Sequence, residues 1–178
     1  MSEQEVGQEE IPVDPLDAFV EPNFVSLLCG IDPHSVMNFF FYFSRFEHAL
    51  KIKNYKKLDG NRRYIIGANW KAFVRTLNIP YPSGSNKVDE AVRYICSNPV
   101  KRQKENLTWE NAAPIAQVSF NAALLEVPKI RNNLFHGGKY KRPDRVRDTD
   151  LLNYSIVLIK ACLHADADLY REFLNTGR

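Results

Sequence analysis

The sequence has no long hydrophobic run: its apolar residues are interrupted throughout by polar and charged ones. A membrane-spanning helix needs about 20 consecutive apolar residues, so we predict that the chain does not enter a membrane. The chain starts with an acidic stretch, and the basic and apolar segments typical of a secretory signal peptide are missing. We therefore expect a cytoplasmic protein.

Cysteine is also scarce. Cys29, Cys96 and Cys162 are odd in number and far apart, which argues against a disulfide framework and favours reduced, core-filling thiols. The sequence contains no glycine-rich phosphate loop, no H-E-x-x-H motif and no C-x-x-C pair. We therefore expect neither a metal site nor a cofactor.

Basic residues are missing from the first 34 positions, which we interpret as an acidic leader with a short apolar clip at residues 16–28. Residues 35–178 are then expected to form one helical domain. This domain contains 24 Lys and Arg and 13 Asp and Glu, which gives it a net charge of about +11. Such a body suits a polyanionic partner. The alternative is an ordinary solvated surface behind a soluble acidic leader.

Apolar spacing typical of amphipathic helices predicts most of the domain. Ser35 is expected to cap a helix that runs to about Asn54, with Phe39, Phe43, Phe46 and Leu50 inward and Phe40 widening the apolar stripe. Further helices are predicted at about 63–77, 87–97 and 112–125. A long helix is predicted to start at Asp148 or Asp150 and to run to residue 164, and Asp166 is expected to cap a short final helix that ends at 176. The residues of the long helix that are expected to face inward are Leu151, Leu152, Ile156, Ile159 and Leu163. Residues 101–109, which include basic residues and Trp109, are predicted as a loop or short hairpin that either holds RNA or is anchored by the tryptophan.

The stretch R-N-N-L-F-H-G-G-K at residues 131–139 is the best candidate for a functional site. Five residues along an ideal helix turn through about 140°, so Arg131 and His136 converge only if the helix ends between them. Gly137 and Gly138 favour such an end. Pro128 is expected to kink or interrupt the helix, with residues 129–135 forming a new short segment that Ile130 and Leu134 anchor to the core.

This R-N-x-x-x-H-G pattern resembles the signature of HEPN domains (higher eukaryotes and prokaryotes nucleotide-binding), all-helical modules that are often metal-independent ribonucleases. The aromatic stretch 41–51, the run 98–103 and the closing helix at 150–163 are similar to those of a bacterial stand-alone subgroup. The resemblance covers about residues 35–176. It implies an all-α, HEPN-like bundle of long antiparallel helices with short flanking helices.

The resemblance also implies a function: a metal-independent endoribonuclease, acting as a toxin or antiviral effector. RNA supplies its own nucleophile, the 2′-hydroxyl. His136 is suited to the proton transfers because the pKa of histidine lies near neutral pH. Arg131 is suited to stabilise the negative charge on the phosphoryl group. Asn132 is expected to bind phosphate or orient His136. The implied partners are RNA, a second copy of the chain in a homodimer, and an antitoxin protein.

Glu47 completes the predicted catalytic set, because it falls at the rim of the aromatic stripe, where a carboxylate is costly unless paired. Arg131 is its expected partner, and the alternative is an exposed carboxylate. Basic residues around the motif are predicted to bind RNA: Lys129, Lys139, Lys141, Arg142, Arg145 and Arg147.

Two other functions remain open from the residues alone. The chain could be a non-catalytic HEPN module that binds RNA, a nucleotide or a partner protein through the same basic cleft. It could also be a helical scaffold in which Arg131 and His136 merely tie down a helix end.

Overall fold

A computed structural model describes residues 14–28, 30–135 and 144–175. This part of the chain is mostly helical, with two small two-stranded antiparallel sheets. Its elements are a 3-10 helix at Pro15–Ala18, α1 (Phe24–Leu27), α2 (Pro33–Ile52), β1 (Lys56–Leu58), β2 (Ile65–Ala68), α3 (Trp70–Val74), α4 (Asn86–Ser97), β3 (Arg102–Gln103), β4 (Trp109–Glu110), α5 (Phe120–Phe135), α6 (Arg145–Ala165) and α7 (Ala167–Leu174). None of the described helices is long and apolar enough to cross a membrane.

Helix α6 lies at the centre of the bundle and contacts α2, α4, α5 and α7. Its apolar residues point in several directions, as expected for a helix with neighbours on several sides. The residues predicted to face inward are all buried: Leu151, Leu152, Ile156, Ile159 and Leu163. Asp166 caps α7 as predicted, because its carboxylate accepts a hydrogen bond from the backbone N–H of Leu169.

Helix α2 begins three residues earlier than predicted, because its N-cap is Asp32 rather than Ser35. The Asp32 carboxylate accepts hydrogen bonds from the hydroxyl and backbone N–H of Ser35 and from the backbone N–H of His34, and these bonds lower its pKa below the usual value. Pro33 fits the first helical position. The predicted boundary between residues 34 and 35 therefore falls inside α2.

The predicted aromatic stripe of α2 is confirmed for Phe39, Phe43, Phe46 and Leu50, which are all buried. Phe40 is 47% exposed, so the prediction that it widens the stripe is wrong. One residue along a helix is a rotation of about 100°, which carries Phe40 away from the direction of Phe39.

The structure contains two short hairpins, and the first of them contradicts a predicted helix. Strands β1 and β2 form a hairpin where a helix at 63–77 was expected, and α3 keeps only Trp70–Val74 of it. The Asp59 carboxylate closes this hairpin turn by accepting hydrogen bonds from the backbone N–H groups of Arg63 and Tyr64. Such a side-chain bond competes with helix formation. The second hairpin, β3–β4, confirms one of the two predictions for residues 101–109.

Helix α5 also differs from its prediction. It begins at Phe120 rather than near residue 112, because the Ser119 hydroxyl accepts a hydrogen bond from the backbone N–H of Ala122 and caps the helix. The helix then continues through Pro128, so the predicted new segment at 129–135 does not exist. Val127 and Ile130, on either side of the proline, are buried and hold the helix against the core.

Two described cysteines, Cys96 and Cys162, are buried and unbridged, and burial raises the pKa of both thiols. Cys29 lies outside the described residues. The apolar clip, in contrast, lies mostly outside the core. Leu28 at its end is partly buried against the core, whereas its other large apolar side chains are exposed: Leu16, Phe19, Val20, Phe24, Val25 and Leu27.

Candidate functional site

The final described turn of α5 carries the Arg131 end of the motif. Ile130 is buried, and Leu134 packs against the core, so this turn is anchored as the sequence predicts. Arg131 and Asn132 are exposed on the opposite side, and the Arg131 Nη1 donates a hydrogen bond to the Asn132 Oδ1 at 3.1 Å. Four residues of the predicted site lie outside the described residues: His136, Lys139, Lys141 and Arg142.

Arg131 reaches across from α5 to α2. Its guanidinium carbon lies 5.6 Å from the centroid of the Phe43 ring, a distance at which the positive charge is attracted to the ring face. Phe43 precedes Glu47 by one helical turn on α2. The structure therefore places Arg131 near the part of α2 from which Glu47 projects.

The predicted ion pair between Glu47 and Arg131 does not form among the described residues. The Glu47 Oε1 instead accepts a hydrogen bond of 2.8 Å from the indole Nε1 of Trp70. The Trp70 ring stacks on Phe43 with their centroids 5.5 Å apart. A buried indole N–H needs an acceptor, and Glu47 supplies it. The four side chains thus form a row in the order Arg131, Phe43, Trp70, Glu47, which we call the aromatic row.

This contact changes what a mutation at Glu47 should do. Glu47→Gln keeps an oxygen that can accept the Trp70 hydrogen bond, so we expect the free energy of unfolding to change by less than about 1 kcal/mol. Glu47→Ala leaves the buried indole N–H without an acceptor and should cost about 1–3 kcal/mol. Urea unfolding of the two variants beside the parent measures both values. A larger loss for Glu47→Gln than for Glu47→Ala would contradict the assigned contact.

Lys129 is the first of the predicted RNA-binding residues, and it forms a salt bridge with Glu126 one turn earlier on α5. The Glu126 side chain is 9% exposed, whereas that of Lys129 is 62% exposed. The ammonium of Lys129 therefore neutralises a buried carboxylate, which reduces the positive potential that it can offer to a phosphate.

Arg147, another predicted RNA-binding residue, is held inside the protein. Its side chain is 13% exposed, and its Nη2 donates hydrogen bonds to the backbone oxygens of Asn98 and Pro99 at 3.1 and 2.6 Å. Its Nη1 lies 3.4 Å from the carboxylate of Asp148, which is also buried. Arg147 therefore ties the start of α6 to the end of α4. This contact gives it a structural role that the sequence does not reveal.

Arg145 is exposed at the start of α6 and lies against Gly30. A Cβ added at Gly30, which has a φ of +89°, would lie 2.8 Å from the Arg145 Cδ. Any other residue at position 30 would therefore displace Arg145 and strain the backbone. Arg145 keeps the exposure that contact with RNA would require.

Two cavities adjoin the end of α5. The larger, of about 610 Å³, lies between the β3–β4 hairpin, α5 and α6. The smaller, of about 560 Å³, lies on the α5 side of residues 99–103 and includes Asn132 in its wall. Lys101 and Asn133 line both cavities, and the Asn133 Nδ2 donates a 2.7 Å hydrogen bond to the backbone oxygen of Lys101.

The predicted set of site residues omitted several of these residues. Trp70 and Phe43 support Arg131, and Asn133 fixes the motif against β3. Asn133 could have been selected from its place inside the motif. The contact between Trp70 and Glu47 has no sequence signal, because it joins residues 23 positions apart on different elements.

In the described part of the chain, no group of three or more His, Cys, Asp or Glu side chains is placed to hold a metal ion. Comparisons of the chain with family models, with curated proteins and with solved structures find no significant match.

Proposed function

We propose that this chain is a metal-independent endoribonuclease of the HEPN type, and that its helices form a HEPN-like bundle. The observation that carries the proposal is the placement of Arg131 and Asn132 together on the exposed, anchored end of α5, directly before His136 in sequence. Lys101 lines both adjoining cavities, which could accommodate an RNA strand beside the motif.

The reaction needs three contributions from the protein. A base takes the proton of the 2′-hydroxyl, whose oxygen forms a bond to phosphorus while the bond from phosphorus to the 5′-oxygen breaks. An acid then protonates the departing 5′-oxygen, which leaves a 2′,3′-cyclic phosphate and a 5′-hydroxyl end. We assign the proton transfers to His136 and the stabilisation of the phosphoryl charge to Arg131, with Asn132 as an additional donor.

Glu47 takes a different role from the one predicted from sequence. Its carboxylate is bound to Trp70, so we assign it to positioning: it fixes the indole that stacks on Phe43, and Phe43 in turn supports Arg131. Such support matters because a charge-stabilising donor must be held in place before the reaction begins.

The proposal includes a second copy of the chain, because one copy offers a single motif histidine for two proton transfers. The exposed apolar clip and the exposed Phe40 and Phe41 provide apolar surface for such a contact. Sedimentation at micromolar concentration should give a mass twice the 20.5 kDa of one chain, and a stable monomer would contradict this part of the proposal.

The proposal also includes an antitoxin protein as a partner. An antitoxin that binds over the motif would inhibit the enzyme.

Incubation of the purified protein with mixed RNA in EDTA tests the activity. We expect cleavage that EDTA does not reduce. Intact RNA that is nevertheless bound in a filter assay would favour the alternative function, a non-catalytic module. Intact RNA without binding would overturn both functions.

A further inference from the structure

We infer that the larger cavity is a pocket for one unstacked base of a single-stranded RNA. The cavity lies between the β3–β4 hairpin, the end of α5 and the start of α6. It is next to the motif, because Asn133 lines it and follows Arg131 by two residues. The inference rests on the proposed function for the identity of the ligand, RNA, but binding can be measured without cleavage.

Trp109 gives this cavity an aromatic wall. It is half-buried at the start of β4, whereas the other tryptophan, Trp70, is buried in the core. A ring that is partly exposed and lines a cavity can stack against a base of any sequence. Recognition of single-stranded RNA commonly relies on such stacking.

Three amide side chains in the cavity wall provide groups for the edge of a base. Asn111 is exposed in this wall and makes no hydrogen bond to any other described residue, so no described group competes for its amide. Asn133 uses its Nδ2 on the Lys101 backbone oxygen, which leaves its Oδ1. Asn106 uses its Oδ1 on the Thr108 backbone and hydroxyl, which leaves its NH2 group. Together they offer both donors and acceptors.

The charges of the described lining residues favour a base over a phosphate. Lys101 and Arg147 are balanced by Asp144 and Asp148, so the described lining residues have no net formal charge. Arg147 and both carboxylates are engaged: Asp144 accepts from the Arg147 backbone N–H, and Asp148 pairs with its guanidinium. Among the described lining residues, a phosphate would therefore meet two carboxylates without a surplus of positive charge.

Lys101 is the cation placed to pair with the phosphate next to the bound base. It is half-buried, lines both cavities and forms no ion pair with another described residue. A strand whose base enters the larger cavity would pass Lys101 on its way to Asn132 in the smaller one. The base pocket and the motif would then bind neighbouring parts of one RNA strand.

The test uses the full chain with His136→Ala, so that RNA is bound without turnover. Two short labelled strands are compared: a single-stranded RNA, and an abasic strand with the same ribose-phosphate backbone. We expect Trp109→Ala to weaken binding of the RNA on the order of tenfold and to leave binding of the abasic strand unchanged. Trp109→Phe, which keeps a stacking ring, should restore most of the affinity.

Two further variants make the result specific. Tyr64→Ala removes an exposed aromatic side chain that lies beside Arg63 in the other hairpin and lines neither cavity. It should bind both strands like the parent. Asn111→Ala breaks no hydrogen bond within the described protein, so it should fold even if Trp109→Ala does not, and it should weaken RNA binding about threefold.

Equal RNA affinity for the parent, Trp109→Ala and Asn111→Ala would overturn the pocket, as would an equal loss on the abasic strand. If the protein with His136 still cleaves RNA in that case, the proposed function stands without the pocket. The protein could instead bind RNA in a way that depends on the base and on Trp109 but never cleave it. That result would support the pocket and contradict the proposed endoribonuclease activity.

Discussion

His136→Ala is expected to abolish RNA cleavage, and Arg131→Ala to slow it by roughly 10²–10³. His136 is the single motif group that can exchange a proton near neutral pH. Arg131 supplies planar donors to the phosphoryl oxygens, and removal of one such donor typically causes a loss of this size. Initial rates on a labelled RNA, with parent and variants at equal concentration, give both values.

Controls separate chemistry from folding. Arg131 is exposed, and loss of its contact with Phe43 should lower the free energy of unfolding by about 1 kcal/mol or less. Arg131→Lys keeps the charge without the planar donors, so its rate should lie between those of the parent and Arg131→Ala. His164→Ala, at an exposed position near the end of α6, should cleave like the parent. Parental cleavage by His136→Ala would show that the assignment is wrong.

Arg147→Ala is expected to lower the free energy of unfolding by about 3 kcal/mol. The substitution removes the hydrogen bonds that join α6 to the backbone oxygens of Asn98 and Pro99, and it removes the cation beside the buried carboxylate of Asp148. Removal of one partner of a buried ion pair typically costs roughly 3–5 kcal/mol, even where the intact pair contributes little to the stability of the fold. Urea unfolding followed by circular dichroism measures the change.

Arg145→Ala is the matched control, since it removes the same charge two residues away on the same helix. Arg145 is exposed, so the change in unfolding free energy should stay within about 0.5 kcal/mol. Equal stability of the two variants, with RNA binding lost in Arg147→Ala alone, would contradict the structural role and restore the RNA-binding role predicted from sequence.

The helices that pack by a regular apolar repeat could be predicted from the sequence. The spacing of Phe39, Phe43, Phe46 and Leu50 identified the buried face of α2, and the inward residues of α6 were identified in the same way. In both helices burial follows directly from the helical period. The cap of α7 by Asp166 was predictable for a similar reason, since capping is a local contact.

The errors occur where contacts specific to this fold decide the outcome. The hairpin at residues 56–68 depends on the hydrogen bonds of Asp59, which the apolar pattern around it does not indicate. Helix α5 continues through Pro128 because buried neighbours hold it to the core, although proline usually breaks a helix.

The contacts of the described candidate-site residues could be predicted only in part. The sequence predicted an ion pair between Arg131 and Glu47. In the structure Arg131 lies over Phe43 on the same helix as Glu47, but Glu47 accepts its hydrogen bond from Trp70. Arg147 illustrates a second limit: its type and its basic neighbourhood suggest RNA binding, whereas burial gives it carbonyl partners. The roles of His136, Lys139, Lys141 and Arg142 stay predictions.

The central claim is that the Arg131–His136 motif cleaves RNA without a metal ion, and the chemistry of the product ends tests it most directly. A defined RNA is incubated in EDTA with the parent and with His136→Ala, and the fragments are identified by mass spectrometry. We predict 2′,3′-cyclic phosphate or 3′-phosphate ends, paired with 5′-hydroxyl ends, from the parent alone. Intact RNA with the parent, or the same fragments from His136→Ala, would contradict the claim.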